Sequence, residues 1–315
     1  GYGRIVRGSR NKIEAIIEEK DASPSEKEIS EVNSGIMAFK AKDLIRLLGK
    51  IKNNNKAKEF YLTDTVHEAH LEKLNIQSLS LSDTNEVLGC NTLEELQVLE
   101  KAYHISSAKK FLNKGVSFAD IEKVKFRGNI SIEKGAFIDE NVIFEGTVSI
   151  GTNAKIGPGC IISNSEIGKN AELLAYSFVE ESMLESNAKA GPFAHVGVQT
   201  KMEEGAEIGN FVETKRSNIG ANSKAKHLAY IGDGRIGKGV NIGAGTIFCN
   251  YDGVKKHITK IEDDAFIGSN SALVAPLTIG AKSYIGSGSV VTKNVGKGQL
   301  AIGRGRQKNM PNRKK

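Results

Sequence analysis

An apolar residue returns at every sixth position along much of the chain between residues 132 and 291. This period matches neither the 3.6-residue repeat of an α-helix nor the alternation of a half-buried strand. It is typical of a parallel β-helix, in which each hexad forms one short strand and one corner. Three hexads then make a coil of about eighteen residues, and each coil pairs with the next at the spacing of a β-sheet. The apolar positions are Ile132, Ile138, Phe144, Ile150, Ile156, Ile162, Ala190, Val196, Met202, Ile208, Ile236, Ile242, Phe248, Ile261, Ile267, Leu273, Ile279, Ile285 and Val291.

Small residues and interruptions add detail to this repeat. A small residue often stands four positions after the apolar one, as at Ala154 and Cys160, where it fits the tight interior of a corner. The strict register is lost at 163–184 and 209–230, and residues 249–260, CNYDGVKKHITK, interrupt it as an insertion. Because loops that leave a rigid scaffold often carry function, we expect this insertion to be a functional loop.

The chain before the repeat has a different pattern, which is typical of an α/β domain. A long amphipathic segment follows it, and Thr92 with Glu95 matches the capping box of a helix start. Gly115 is a typical residue at a helix stop. The predicted parts are an α/β domain at 1–91, a linker helix at 92–114, a β-helix at 115–291 and a basic C-terminal tail at 292–315.

The formal net charge is +7, and much of it lies in the terminal segment 303–315, GRGRQKNMPNRKK. A solvated tail is the simplest interpretation of such a charge run. No aromatic residues are interleaved with the basic ones, so we expect no nucleic-acid partner. An anionic substrate, such as a phosphate ester, is compatible with the charge.

Membrane and disulfide signals are missing from the sequence. No apolar stretch approaches the roughly 18 residues that a membrane span needs, and we recognise no signal peptide. The three cysteines, Cys90, Cys160 and Cys249, are widely spaced and form no CxxC pair. Neither a zinc site nor a disulfide framework is predicted, and we expect a cytoplasmic protein with no membrane partner.

A series of short motifs runs along nearly the whole chain: GYGRI, EEKDA, VNSGI, YLTD, GCNT, GPFA, GNFVETK, KAKHLAYIGD, NIGAGTIFCNYDG, KKH, FIGSNSALVAP and AIGRGRQ. With these motifs the chain resembles the bacterial bifunctional enzymes that are both glucosamine-1-phosphate N-acetyltransferase and N-acetylglucosamine-1-phosphate uridyltransferase. The resemblance implies a Rossmann-like nucleotidyltransferase domain, of which residues 1–91 are a part, then a linker helix and a left-handed parallel β-helix. It also implies a homotrimer with active sites between subunits. The left hand rests on the resemblance alone, because crossovers in parallel sheets are normally right-handed.

Acetyl transfer from a thioester to a sugar amine needs a base for the amine proton and a donor for the oxyanion. His227, in KAKHLAY, is the predicted base, since an imidazole titrates near neutral pH. The resemblance implies that Glu213 orients this imidazole and balances its charge. It also implies that Asn250 lies beside the amine and that the backbone N–H of Tyr251 binds the thioester oxygen. The insertion at 249–260 would then form part of the wall of the active site.

The resemblance further implies two sets of binding residues in the repeat region. Sugar phosphate is expected at Lys215, Tyr230, Asn241 and Lys256, where lysines suit phosphate as point charges. Acetyl-CoA, the co-substrate, is expected at Ala244, Asn250, Tyr251, Ser269, Ser287 and Arg304, and Arg304 could reach the CoA of a neighbouring subunit.

Two positions depart from the pattern of these enzymes. An arginine that clamps the sugar phosphate is usual where this chain has Gly197, and glycine offers no bidentate fork. We expect weaker affinity for the sugar phosphate, with Lys201, Lys215 or Arg216 as candidates to compensate. The milder departure is Ser287, which stands where alanine is often found.

The uridyltransferase half is expected to be incomplete. Gly3, Glu18, Asn33 and Asn91 match positions that contact the UDP-sugar, and Asn91 would also be an oxygen ligand of Mg²⁺. The chain starts at GYGRI without methionine, and the glycine-rich nucleotide loop and metal-binding aspartate implied by the resemblance would lie upstream. We expect this chain to lack uridyl transfer by itself. The parent protein would make UDP-N-acetylglucosamine, a precursor of peptidoglycan and lipopolysaccharide.

Two other functions are compatible with a parallel β-helix built from hexapeptide repeats. A metal-dependent lyase would need three converging histidines, and the repeat region offers His195, His227 and His257 without the spacing of that class. A non-catalytic trimeric scaffold would fit the loss of an arginine at Gly197. Turnover of acetyl-CoA separates the enzyme from the scaffold, and metal analysis identifies the lyase.

Overall fold

A computed structural model describes residues 1–311 of the chain. The last four residues of the predicted basic tail, 312–315, lie outside the described residues. The chain divides into an N-terminal unit, Gly1–Leu99, and a C-terminal unit that starts at Glu100. Every helix within residues 1–311 is too short or too polar to cross a lipid bilayer.

The N-terminal unit has one antiparallel strand pair, Arg4–Arg7 with Ile13–Ile17. A small apolar core of Ile13, Ile16 and Val66 supports it. Short helices joined by irregular segments follow in the rest of the unit, and Ser23 and Glu26 close a capping box on the first of them. The helices are α1 (Pro24–Lys27), α2 (Ala41–Leu48) and α3 (Asp64–Leu71), with 3₁₀ turns at Ser9–Asn11 and Thr84–Val87.

A twenty-residue helix, α4 (Leu93–Leu112), contains the boundary between the two units. Its start has the predicted capping box: the Glu95 N–H donates to Thr92 Oγ1 (3.1 Å), and the Thr92 N–H donates to Glu95 Oε2 (3.2 Å). Gly115 follows with φ 85°, a left-handed conformation that suits glycine at a helix end.

The C-terminal unit is a solenoid of about ten turns with three faces, and all of its strands pair in parallel. The predicted fold class, mainly β with a parallel β-helix of hexapeptide repeats, is confirmed. Face 1 consists of Ser117–Phe118, Phe137–Ile138, Lys155–Ile156, Glu172–Leu173, Lys189–Ala190, Glu207–Asn210, Lys224–His227, Asn241–Ile242, Phe266–Ile267, Tyr284–Ile285 and Leu300–Ala301.

The other two faces share two long strands, Lys125–Ile132 and Ile143–Ile150, which start on face 2 and end on face 3. The remaining strands of face 2 are Ile161–Ser163, Phe178–Glu180, His195–Val196, Glu213–Lys215, Tyr230–Gly232, Ile247–Cys249, Ala272–Val274 and Val290–Val291. The remaining strands of face 3 are Glu166–Ile167, Met183–Leu184, Lys201–Met202, Asn218–Ile219, Gly234–Ile236, Thr259–Ile261 and Leu277–Ile279. We call the edge between faces 1 and 2 the first corner and the edge between faces 2 and 3 the second corner.

The apolar residues of the hexads fill the interior of the solenoid. All nineteen positions named above are at most 6% exposed, so the predicted inward face is confirmed. The ladder also continues through 163–184 and 209–230, where the strict period of six is lost. There the step across the second corner shortens to five residues, as from Ile162 to Ile167, which gives coils of seventeen residues. Buried serines occupy these short steps, and the hydroxyl of Ser182 donates to the carbonyl of Glu180 (2.7 Å).

Candidate active site

The insertion leaves the solenoid at the second corner as a small hairpin that we define as residues 250–257. Tyr251 and Lys256 face each other in an antiparallel bridge. The N–H of Asp252 donates to the carbonyl of Lys255 (3.1 Å), and the N–H of His257 donates to the carbonyl of Asn250 (2.7 Å). The predicted functional loop is therefore an ordered turn on a rigid edge.

The carboxylate of Asp252 stabilises the tip of the hairpin by accepting hydrogen bonds within it. Its Oδ1 accepts from the N–H groups of Val254 (2.8 Å) and Lys255 (2.7 Å), and its Oδ2 lies 2.6 Å from Nε2 of His257. The backbone donor of Lys255 and the imidazole of His257 hold the pKa of this carboxyl far below its ordinary value. Gly253 allows the turn, since its φ of 99° strains any other residue.

The backbone N–H of Tyr251 is left unused by the hairpin. In an antiparallel bridge closed by the neighbouring hydrogen bonds, the facing residues turn their own N–H and C=O groups outward. No hydrogen bond within residues 1–311 uses the Tyr251 N–H. An outward, fixed backbone donor is the feature that an oxyanion site requires.

Asn250 begins the hairpin and is only 6% exposed. Its Nδ2 donates to Oδ2 of Asp233 (2.6 Å), one coil away. Asp233 is also held by the guanidinium of Arg216, at 2.7 Å from Nε to Oδ1 and 2.9 Å from the terminal nitrogen to Oδ2. The Arg216 hydrogen bonds, followed by that of Asn250, lower the pKa of Asp233, so the carboxylate is charged at neutral pH.

His227 ends a face-1 strand at the first corner, where it is exposed. Its Nδ1 lies 2.7 Å from Oδ1 of Asn210, the residue opposite it in the preceding coil. An amide oxygen can only accept, so Nδ1 carries the proton and Nε2 keeps a free lone pair. Glu213, the predicted orienting residue, starts the face-2 strand of the preceding coil, opposite Tyr230, and no hydrogen bond of the described chain joins it to His227.

Tyr230 and Lys215 lie on face 2 between the two corners. The hydroxyl of Tyr230 and Nδ2 of Asn250 would each lie 2.5 Å from a β-carbon added at Gly232, so both groups pack on this glycine. Lys215 is opposite Gly232 in the ladder and half-buried. Neither Lys215 nor Lys256 has a carboxylate within 4.0 Å among residues 1–311, so both cations are available to an anion.

The predicted acetyl-CoA residues outside the hairpin form one column along the first corner. The Gly245 N–H donates to the carbonyl of Leu228 (3.1 Å), which places Ala244 directly after His227 in the stack. The N–H of Asn270, the residue after Ser269, donates to the carbonyl of Ala244 (2.7 Å). The N–H of Gly288, the residue after Ser287, donates to the carbonyl of Ser269 (2.8 Å). A guanidinium nitrogen of Arg304 donates to the carbonyl of Ser287 (2.6 Å). Asn241 lies close by on face 1, opposite Lys224.

One chain does not bring all of the predicted catalytic groups together. His227 lies at the first corner, whereas Asn250 and Tyr251 leave from the second corner, at the other end of the strand Tyr230–Gly232. At about 3.3 Å per residue, a three-residue strand separates these edges by roughly 10 Å. The groups therefore occupy opposite edges of one face.

The structure limits the candidates that could replace an arginine at position 197. A β-carbon at Gly197 would lie 2.6 Å from the carbonyl oxygen of Thr214, so no side chain fits there without a backbone shift. Lys201 pairs with Glu185 (2.7 Å), and Arg216 is held by Asp233. Of the three proposed substitutes, Lys215 alone has no acidic partner within the described residues.

Three of the four predicted UDP-sugar residues meet in the N-terminal unit. Gly3, Glu18 and Asn33 line an open cavity of about 410 Å³. Glu18 accepts a hydrogen bond from the hydroxyl of Thr63 (2.8 Å), and the N–H of Asn33 donates to the carbonyl of Gly3 (2.8 Å).

Asn91 does not line this cavity, and its exposed backbone N–H donates to Glu95 (2.6 Å). A single exposed amide is a poor fit for Mg²⁺, which is normally held by one or two carboxylates. No group of three or more His, Cys, Asp or Glu side chains suited to a metal occurs in residues 1–311. The three histidines considered for a zinc lyase, His195, His227 and His257, form no such group.

Two residues of the candidate site, Asn210 and Asp233, were not predicted from the sequence, although they lie in the motifs GNFVETK and KAKHLAYIGD. The signal that could have found them is a spacing of seventeen, the length of one coil here. Asn210 precedes His227 by that spacing, and Asp233 precedes Asn250 by it.

Comparison with known proteins gives relatives along nearly the whole chain. The family Bacterial transferase hexapeptide (six repeats) matches residues 129–164 and 258–293. The bifunctional protein GlmU of Marinobacter nauticus is 42% identical over 310 residues, which are 98% of this chain and 68% of that protein. The bifunctional protein GlmU of Pseudoalteromonas atlantica is 45% identical over 310 residues, with the same two shares.

Solved structures show more distant likenesses. LpxA from Acinetobacter baumannii is 20% identical, with a TM-score of 0.43, over 55% of this chain and 71% of that chain. The UDP-N-acetylglucosamine acyltransferase of Arabidopsis is 20% identical, with a TM-score of 0.33, over 60% of this chain and 70% of that chain. Values this low bear on no argument about activity.

Proposed function

The chain belongs to the GlmU family of bifunctional proteins, and on that premise we propose that its β-helix is a glucosamine-1-phosphate N-acetyltransferase. Acetyl-CoA is the acetyl donor, and N-acetylglucosamine-1-phosphate is the product. The observation that carries the proposal is the first-corner column. It places a histidine with a free Nε2 in line with Ala244, Ser269, Ser287 and Arg304.

The reaction needs three events that these groups can perform. Nε2 of His227 takes a proton from the sugar amine as the nitrogen attacks the thioester carbonyl. The Tyr251 N–H donates to the oxyanion of the tetrahedral intermediate. The intermediate collapses by breaking its C–S bond, and the proton on His227 passes to the departing CoA sulfur.

The sugar phosphate is held by two lysines that form no ion pair within 4.0 Å among the described residues. Lys215 and Lys256 supply two positive charges near Asn250, and Tyr230 and Asn241 provide polar contacts. Because Gly197 supplies no guanidinium, we expect a higher KM for glucosamine-1-phosphate than in a relative with arginine there. Steady-state kinetics on the two proteins side by side measure this, and equal KM values contradict it.

We propose a homotrimer with sites between subunits, and the separation of His227 and Tyr251 on one chain supports a site that a second copy completes. In such an assembly, the hairpin of one copy faces the first corner of its neighbour. Light scattering tests the trimer. Mixing the impaired variants His227→Ala and Asn250→Ala tests the shared site, because mixed assemblies contain some sites with both native groups and should regain activity. No activity after subunit exchange contradicts a shared site.

The N-terminal cavity is proposed to hold a UDP-sugar through Gly3, Glu18 and Asn33. The size of the cavity and its lining of polar and apolar side chains suit a sugar nucleotide, and calorimetry with UDP-N-acetylglucosamine tests binding. Because the described residues around Asn91 fit Mg²⁺ poorly, we derive no uridyl-transfer step.

The decisive experiment follows free thiol released from acetyl-CoA in the presence of glucosamine-1-phosphate. Loss of a general base lowers turnover by about 10²- to 10⁴-fold, so His227→Ala should be nearly inactive. If the folded wild-type protein gives no turnover, the non-catalytic scaffold is the better description. If wild type and variant turn over equally, His227 is not the base.

A further inference from the structure

A polar column runs down the second corner beneath the hairpin. Arg216, Asp233 and Asn250 follow one another at seventeen-residue spacing, one from each of three successive coils. The guanidinium grips both carboxylate oxygens of Asp233, and Oδ2 also accepts from Nδ2 of Asn250. The Arg216 and Asp233 side chains are 25% and 13% exposed, so water screens the pair less than an ordinary surface ion pair.

This column decides which way the amide of Asn250 points. A carboxylate only accepts hydrogen bonds, so the amide must turn its NH₂ toward Asp233. Its Oδ1 then faces away, and no donor within residues 1–311 uses that oxygen. Oδ1 is also absent from the polar atoms that are buried without a partner, so it is reachable from outside.

Asp233 also holds the far end of the insertion. Its carbonyl oxygen accepts from the N–H of Thr259 (3.3 Å), where the chain re-enters face 3. One residue therefore contacts both ends of the hairpin, Asn250 through its side chain and Thr259 through its backbone. Movement of Asp233 would move the unused N–H of Tyr251 together with Asn250.

We propose that Asp233, oriented by Arg216, is a positioning residue for acetyl transfer. It fixes Asn250 with Oδ1 outward, as an acceptor for an N–H of the attacking amine, and it sets the place of the hairpin that carries the Tyr251 N–H. The inference rests on the proposed acetyltransferase function. Asp233 itself touches no reacting atom.

Such a role predicts an effect on turnover more than on binding. Displacement of a positioned group by about 1 Å can lower a rate 10²-fold. Asp233→Asn places an NH₂ where a carboxylate oxygen met two donors, so it cannot satisfy both Arg216 and Asn250. We expect kcat to fall roughly 10- to 100-fold, with the KM for acetyl-CoA changed less than about twofold. Arg216→Gln keeps the contact to Asn250 but loosens Asp233, so its loss should be smaller.

A structural role and a positioning role are separated by a double-mutant cycle. If Asp233 acts through Asn250 and the hairpin that Asn250 begins, adding Asp233→Asn to Asn250→Ala lowers kcat by a smaller factor than Asp233→Asn does in the wild-type protein. If Asp233 only fastens coils together, the two losses multiply. Glu185→Gln is the matched control, because it breaks the ion pair with Lys201 in a part of the solenoid remote from the hairpin. Its kcat should stay within about twofold of wild type.

Hydrogen exchange gives a test that does not need activity. The His257 N–H, bonded to the carbonyl of Asn250, should exchange at least roughly tenfold faster in Asp233→Asn and at the wild-type rate in Glu185→Gln. Unchanged exchange overturns the positioning role of Asp233, as do multiplying losses in the cycle. If wild type shows no acetyl transfer, the proposed function fails. The exchange comparison then still decides whether Asp233 holds the hairpin.

Discussion

Face 1 and the second corner of the same solenoid differ in how far their charged side chains are paired with opposite charges. On face 1, Lys155, Glu172, Lys189, Glu207 and Lys224 occupy one outward row and alternate in sign from coil to coil. Neighbours pair along this row, with Glu172 3.5 Å from Lys155 and 2.8 Å from Lys189. The opposite charges in this row therefore neutralise one another except for one lysine, since three lysines face two glutamates.

Around the second corner the charges are not cancelled in this way. Arg216 and Asp233 form one ion pair, whereas among residues 1–311 no carboxylate lies within 4.0 Å of Lys215 or Lys256, and Lys256 attracts Asp233 only at longer range. The ladder register is the same in both regions, so the difference comes from the residues that fill it. A regular coil uses opposite charges to stabilise the stack, and the interrupted coil leaves cations for an anion from outside.

The largest expected effect concerns the partner of His227. Asn210→Ala removes the acceptor that keeps the proton on Nδ1, so the imidazole can turn or change tautomer. We expect kcat to fall roughly 10- to 100-fold with folding intact, because the base is misplaced but present. Asn187→Ala is the control, since that asparagine donates to Glu204 (3.3 Å) and has no contact with His227. Equal kcat in the two variants would remove Asn210 from the site.

The next effect tests the unpaired cations directly. Lys215→Met should raise the KM for glucosamine-1-phosphate about tenfold, as expected for loss of one charged contact to phosphate. Lys189→Met removes a lysine that is already neutralised by Glu172, and its KM should stay at the wild-type value. Steady-state kinetics at fixed acetyl-CoA measure both. If the two variants raise KM equally, general surface charge explains the affinity and the contrast between the regions fails.

The interior of the solenoid could be predicted from the sequence because its chemistry is uniform. Every coil needs apolar residues inside, and each predicted hexad position is buried. The predicted coil length of eighteen residues was wrong for the coils that have seventeen, and the reason is local. Ser165 and Ser182 are buried at second-corner steps that are one residue shorter than the others. The hydroxyl of each donates to the backbone carbonyl two residues earlier, and Ser165 Oγ also accepts from the N–H of Ser182.

That small error in coil length hid the neighbours of the candidate site. Coils of eighteen residues would place Gly209 opposite His227, whereas the seventeen-residue coil places Asn210 there. The same shift makes Asp233 the hydrogen-bond partner of Asn250, one coil earlier. The candidate residues themselves came from motif resemblance, but their partners depend on register, which a one-residue step in each coil changes.

A smaller effect contrasts the regular interior with the interrupted coil through two cysteines. Cys160 is fully buried at a small-residue position, and burial raises the pKa of its thiol to about 11. Cys249 is half-buried at the end of the strand that leads into the hairpin. At pH 8 a thiol reagent should label exposed Cys90 fastest and Cys249 more slowly, and Cys160 only after unfolding. Mass spectrometry of the labelled peptides measures this order.

The raised thiol pKa also sets a pH dependence. The thiol is neutral in both the folded and the unfolded state at a pH well below its ordinary pKa of about 9. Its stabilising contribution is therefore present there and declines as the pH rises from 9 toward 11. Labelling of Cys160 in the native protein at pH 8, at the rate of Cys249, would contradict a closed interior at that coil.

The smallest expected effect lies in the charge row of face 1. Lys189→Gln removes the cation that pairs with Glu172, and because both side chains are partly exposed we expect a loss of at most about 1 kcal/mol. The hydrogen bond from Lys189 lowers the pKa of Glu172 below its ordinary 4.5, so this contribution is present above that pH and is lost as the pH falls. Thermal unfolding at pH 7 and pH 3 should therefore show a difference between variant and wild type that shrinks at the lower pH and at high salt. A difference that persists at pH 3 would mean that the methylene stem of Lys189 stabilises the face by packing, and the row would then not be the electrostatic counterpart of the second corner.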